Sequence, residues 1–122
     1  MPWKYSQSTG TLLAPDGELE GVGYSGNTYG LNSPSMQDVP DVGPCPQGEY
    51  TMGPWFTDSQ KGPIVTHLIP NPLNAMYGRS GFMIHGDNPA ANHTASDGCI
   101  ILAHAIRLAM STSADQSITV TS

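Results

Sequence analysis

Residues 81–102 read GFMIHGDNPAANHTASDGCIIL. Gly81 to His85 is a short apolar run between two glycines, the pattern of a buried strand whose last residue, His85, meets a loop. The loop passes through Asp87, Asn88, Pro89 and His93 and turns at Ser96-Asp97-Gly98. A second apolar run, Cys99 to Leu102, is strand-like or the entry to a helix. Two short runs joined by a polar loop predict β-structure around this stretch.

The rest of the chain extends that reading. Trp3 to Thr9 alternates, and Thr11 to Leu13 resumes after Gly10. Pro15-Asp16-Gly17 is a turn signal, so residues 3–24 are expected to form a hairpin with Gly21 to Tyr24 returning. Residues 26–46 are rich in Gly, Asn, Ser, Pro and Asp and read as a long irregular loop, a length that often serves function. Gly48 to Trp55 and Ile64 to Ile69 read as strands, the second closed by Pro70-Asn71-Pro72. Ala103 to Met110 suits one short helix, with Ala103, Ile106 and Met110 on one face. Ser117 to Thr121 alternates and should be a closing strand. The expected fold is mainly β, one domain over residues 1–122, with one short helix after Cys99.

Composition bounds the partners. Fourteen Gly and eleven Pro among 122 residues are too turn-rich for a helical bundle. Lys and Arg number four against ten Asp and Glu, for a net charge of −6. So few cations argue against nucleic acid, whose phosphates must be neutralised, and against an anionic membrane surface. No apolar stretch is long enough for a membrane-spanning helix, so no membrane insertion is expected. The Met-Pro-Trp-Lys-Tyr-Ser start has no apolar core of a secretory signal. The expectation is synthesis in the cytoplasm without a cleaved signal. Two cysteines, Cys45 and Cys99, are no disulfide framework.

The chemistry concentrates in the opening stretch. A cysteine–histidine pair needs proximity, which two strands joined by a loop supply. His85 within reach of the Cys99 sulfur would favour the thiolate, the nucleophilic form. Gly98 allows a tight turn beside the sulfur. The amides of Cys99 and Gly98 are candidates to stabilise an oxyanion, and a backbone carbonyl or Asp87 to orient the imidazole. The competing readings are structural: Cys99 as a small buried hydrophobe, His85 as a strand-end residue bonded to backbone. Cys45, at a Pro-rich strand entry, reads as structural. His67 reads as a strand-face residue and His104 as a solvent-facing helix residue.

These residues carry a resemblance. His85-Gly86 followed by Ser96-x-Gly98-Cys99-Ile100 resembles the catalytic motif of the L,D-transpeptidase (YkuD-like) domain. Gly43-Pro44-Cys45-Pro46-Gln47-Gly48-Glu49-Tyr50 is similar to that family's segment entering a strand. Trp3-x-Tyr5-x-Gln7-Ser8-Thr9-Gly10, Gly23-Tyr24-Ser25-Gly26, Gly78-Arg79-Ser80-Gly81-Phe82 and Ile84-His85-Gly86-Asp87 together resemble a divergent branch that includes antibacterial type VI secretion effectors. The resemblance implies an L,D-transpeptidase-like β-sandwich or barrel with no cofactor. It implies a Cys99 nucleophile, a His85 base, and Ser96 and Gly98 shaping the nucleophile turn. The implied substrate is the peptidoglycan stem tetrapeptide, cut or exchanged at its diaminopimelate–D-Ala bond. The implied place of action is the periplasm of target bacteria, with a cognate immunity protein as partner.

The sequence departs from that family at two positions. Asp97 stands where the general motif has His, and a carboxylate aimed at the sulfur would raise the thiol pKa, so Asp97 is expected to point away. Ile101 stands where an Arg is frequent. Arg79 is the expected substitute for binding a substrate carboxylate, with a surface ion pair as its plain alternative. Asp87, His93 and Asp97 are further candidates to line the substrate site. Two rival functions follow from the same residues. His85, Asp87, His93 and Cys99 are metal-competent types, although their spacing fits no common zinc set. A non-enzymatic peptidoglycan-binding module is the other, since a fold does not fix a function.

Overall fold

The computed structural model describes residues 1–90 and 92–122. The protein is mainly β, with 33% strand and 12% helix. Its strands are β1 (Trp3–Ser6), β2 (Thr11–Leu13), β3 (Leu19–Val22), β4 (Tyr24–Ser25), β5 (Gly48–Met52), β6 (Phe56–Asp58), β7 (Gly62–Pro70), β8 (Met83–His85), β9 (Ile100–Ile101) and β10 (Ser117–Thr121). The helix α1 (His104–Ser111) lies between β9 and β10.

Alternating side chains decide which face of each strand is covered. Trp3 and Tyr5 are buried while Lys4 between them is exposed. Tyr50 and Met52 repeat this on β5, and Ile118 and Val120 on β10. These faces meet in one core with Leu12, Leu68, Phe82, Ile84, Ile100, Leu102 and Met110. The strand order is β3-β2-β1-β10-β5-β7-β8-β9-β4, with β6 beside β7. The two ends of that order, β3 and β4, are separated in the chain by Gly23 alone, so the sheet curls into a nearly closed barrel.

The Pro15-Asp16-Gly17 turn joins β2 to β3, with the Gly17 N–H donating to the Ala14 carbonyl at 2.8 Å. Tyr24 leaves that meander. It pairs with Ile101 at the other edge of the sheet, so the expected hairpin over 3–24 stops at Val22. Strand β6 was not anticipated: Phe56–Asp58 is too short to show a period, and pairing with the long β7 holds it in place. The long loop over 26–46 is present, stiffened by 3₁₀ turns at Thr28–Gly30 and Pro34–Met36. The helix falls one residue from its expected start, and Ile118 and Val120 point inward from the closing strand.

The site depends on one unusual connection. Strands β8 and β9 run parallel, with Ile84 opposite Ile100 and His85 opposite Ile101. A parallel pair needs a crossover of about a dozen residues, usually helical. Here the connection over residues 86–99 holds no helix or strand among its described residues. Its first and last residues are Gly86 and Cys99.

Candidate active site

All three residues of β8, Met83, Ile84 and His85, are buried. His85 ends the strand at 4% exposure. Its Nδ1 lies 2.8 Å from the Gly86 carbonyl oxygen. That oxygen only accepts, so Nδ1 carries the proton and Nε2 presents its lone pair. Burial is the largest influence on the ring and holds its pKa below the ordinary value. Lys61 and Arg107 push the same way, against the Gly86 bond. Among the described residues Nε2 has no hydrogen-bond partner, and a neutral imidazole is competent to take a proton there.

Gly86 is needed for its size. A Cβ there would lie 2.6 Å from Nη2 of Arg107. Arg107, on α1, is itself buried. Its Nε donates to the Leu102 carbonyl at 3.0 Å, and its Nη1 to the Pro63 and Ile64 carbonyls at 2.9 Å each. This guanidinium thus ties α1, β7 and the end of β9 together beneath the His-Gly pair. Ile64 has φ 60°, a left-handed conformation that is rare for a β-branched residue, and its carbonyl is one of those acceptors.

Cys99 lies one residue before β9 and is partly exposed. Continuing the β8–β9 register by one step sets it opposite Met83, two positions from His85 on the same sheet face. The Met83 backbone N–H favours the thiolate. Burial nevertheless dominates and raises the thiol pKa above its ordinary value. Lys61 and Arg79 favour the thiolate, while Asp97 disfavours it. Among the described residues no hydrogen bond joins the sulfur to the imidazole. Cys99 opens on a cavity of about 200 Å³ lined by residues 78–82, 97–99, Pro40 and Asp41. His85 opens on a second one of about 240 Å³, with Gln60, Lys61, residues 86–89 and Ala95.

The nucleophile turn is held by two buried serines. Ser96 Oγ donates to the Cys99 carbonyl at 2.5 Å and accepts from the N–H groups of Gly26 (2.9 Å) and Gly98 (3.1 Å). Ser25 Oγ donates to the Gly98 carbonyl at 3.0 Å and accepts from the Cys45 N–H at 2.8 Å. Gly98 has φ 141°, and a Cβ there would meet Arg79 Nη2 and the Phe82 ring at 2.6 Å. The residue therefore has to be glycine both for its backbone and for its neighbours.

Arg79 is 9% exposed and spans the same turn. Nη1 donates to the carbonyls of Gln37 (2.6 Å) and Pro44 (2.8 Å), and Nη2 to those of Gly43 (3.0 Å) and Asp97 (3.1 Å). Its Cζ sits 5.0 Å from the Phe82 ring centroid. The four terminal N–H groups expected to receive a substrate carboxylate are thus given to backbone. The sequence signal for such a role, a lone Arg beside glycines, does not distinguish a ligand fork from a loop clamp.

The remaining candidates occupy the loop. The Asp87 carboxylate accepts from Tyr24 OH at 2.7 Å and from the Asn88 N–H at 2.9 Å, so the Gly86 carbonyl, not Asp87, orients the imidazole. Tyr24 OH also accepts from the Ala95 N–H at 3.1 Å. Burial and then the bond to Asp87 push that phenol up to about 12. His93 is exposed and stands edge-on to the Tyr24 ring at 4.9 Å. Asp97 is exposed, its Oδ1 accepting from Asn27 Nδ2 at 3.3 Å. Asn27 Nδ2 also donates to the Ser96 carbonyl at 2.7 Å. Cys45 is fully buried, and burial pushes its thiol up to about 12. His67 stacks on Phe56 and His104 is exposed.

Asn27, Lys61 and Arg107 carry no signal in their own segments, and Tyr24 and Ser25 stand out only as part of the resemblance; the strand order brings all five to the loop. The metal-competent side chains do not gather: among the described residues no three His, Cys, Asp or Glu groups are placed to hold an ion. No helix among them is long and apolar enough to cross a membrane.

No curated protein and no solved structure gives a match to the chain. One family model does: residues 20–121 match the Tlde1 domain, of L,D-transpeptidase-like type VI secretion effectors. That span runs from β3 through β10 and contains the whole loop between His85 and Cys99. The chain belongs to the Tlde1 domain family.

Proposed function

We propose that this protein is a cysteine acyl-transfer enzyme acting on peptidoglycan stem peptides, an L,D-carboxypeptidase, a D-amino-acid-exchanging L,D-transpeptidase, or both. The observation that carries the reading is the pair at the two ends of one crossover. A partly exposed sulfur sits on a glycine turn, and an imidazole with its Nε2 unpartnered among the described residues sits two positions away on the same sheet face.

The shifts on the two groups set the mechanism. A raised thiol and a lowered imidazole mean that both rest neutral. His85 then acts as a general base during attack rather than as the imidazolium of a standing ion pair. Substrate entering between the two cavities brings them into proton-transfer reach. Sγ attacks the carbonyl carbon of the diaminopimelate residue as its proton passes to Nε2. The Gly98 N–H is held by Ser96, which makes the Cys99 N–H the proposed oxyanion donor. The C–N bond breaks, His85 returns the proton to the departing D-Ala amine, and a thioester remains on Cys99. Water releases a tripeptide stem, whereas a D-amino acid amine gives an exchanged stem.

Membership of the effector family supports delivery by type VI secretion; action in the periplasm of a target cell and neutralisation by a cognate immunity protein are part of the same proposal. The test is incubation with purified muropeptides, with and without D-amino acids, read by mass. Loss of one D-Ala, or its replacement, is expected from the wild type and not from Cys99→Ala. Intact stems under all conditions would support a binding module, and chelator-sensitive, zinc-restored cleavage would support a metallopeptidase.

A further inference from the structure

We infer that Lys61 receives the substrate carboxylate beside the scissile bond, making it the residue that selects stems ending in a free acid. This rests on the acyl-transfer reading above and adds a determinant of its substrate. The chain has four cationic side chains, Lys4, Lys61, Arg79 and Arg107. Both arginines are buried; Arg79 gives its terminal donors to backbone carbonyls, and Arg107 gives them its Nε and Nη1. Lys4 is on β1, on the opposite part of the strand order from β8 and β9. Lys61 lines the cavity of one proposed reacting group, His85; Arg79 lines the cavity of the other, Cys99, but its terminal N–H groups are held by four backbone carbonyls.

The turn between β6 and β7 presents it. Asp58 Oδ1 accepts from the N–H groups of Gln60 (2.8 Å) and Lys61 (3.0 Å), fixing the backbone while the ammonium stays exposed. No ion pair among the described residues involves it. Its charge reaches both ends of the site, since it acts on the imidazole and on the sulfur. The other cavity suits a carboxylate poorly, being lined by the exposed Asp41 and Asp97. Asp87 shares the Lys61 cavity, where its Oδ1 is turned to Tyr24 OH and the Asn88 N–H.

The experiment has two arms. In the first, Cys99 is alkylated at low salt by iodoacetate and by neutral iodoacetamide, with the site mapped by mass. The ratio of the two rates cancels any change in thiolate fraction. Lys61→Met is expected to lower that ratio by about threefold to fivefold, the effect of one nearby unit charge in water, and Lys61→Arg to keep it. In the second, the tetrapeptide stem is compared with its C-terminal amide. Lys61→Met should raise KM for the acid by about tenfold, the size of a lost charge-assisted hydrogen bond, and abolish the preference over the amide. An unchanged alkylation ratio, or an undiminished preference for the acid, overturns the inference. Stem cleavage by Cys99→Ala would instead overturn the acyl-transfer reading, and the alkylation arm would still decide the role of Lys61.

Discussion

A thiol that keeps its proton in the resting state reacts in a recognisable way. Burial raises Cys99 above its ordinary value of 9.0, so the labelling rate with iodoacetamide should keep climbing past pH 9 instead of levelling near neutrality. A plateau below pH 8 would show a thiolate already formed and would remove the general-base role from His85. His85→Ala should slow stem acylation by about 10²-fold or more, as for a lost general base, measured in single-turnover reactions. At this scale the sequence was partly legible. Cys99, His85, Ser96 and Gly98 stand out because a glycine turn and a strand end leave marks in the chain. Arg79 was visible as a charge, but the four carbonyls that take its donors come from residues 37, 43, 44 and 97, which no local pattern brings together.

The crossover from β8 to β9 is the element that turns a sheet into a site, and its two glycines are where it should break. Gly98→Ala forces a side chain into φ 141° and against Arg79 and Phe82. A stability loss of about 2–3 kcal/mol is expected by denaturant titration. A change below 0.5 kcal/mol would mean that the turn has room the structure does not show. Arg107→Met removes the donors from three backbone carbonyls beneath Gly86 and should cost about 3 kcal/mol or more. The strands with clear alternation, β1, β5 and β10, could be read from the sequence because one face is core and the other is not. Strand β6 could not, since three residues carry no period and β7 supplies its pairing. Strand β4 could not either: Tyr24 continues the preceding meander in sequence but crosses to β9 in space.

Across the molecule, neutral His85 couples stability to acidity. Its folded pKa lies below the ordinary 6.5, so the unfolded chain binds the proton more readily. The stabilisation is fully present above pH 6.5 and is lost as the pH falls toward the folded value. The thermal midpoint should therefore drop below pH 6.5, and His85→Gln should flatten that part of the curve. An identical slope in the variant would place the acid sensitivity elsewhere. The mainly β class and the single helix were legible because turn residues and period-two runs dominate the composition. The near-closure of the sheet was legible only through the resemblance, which implies a β-sandwich or barrel, because it arises from Gly23 linking the two ends of the strand order. The central claim, a covalent intermediate on Cys99, is tested most directly by intact-protein mass after rapid mixing with tetrapeptide stems. The account predicts a transient adduct on Cys99 equal to the stem less its terminal D-Ala, absent from Cys99→Ala. Stems processed at an equal rate by Cys99→Ala, with no adduct on the wild type, would contradict it.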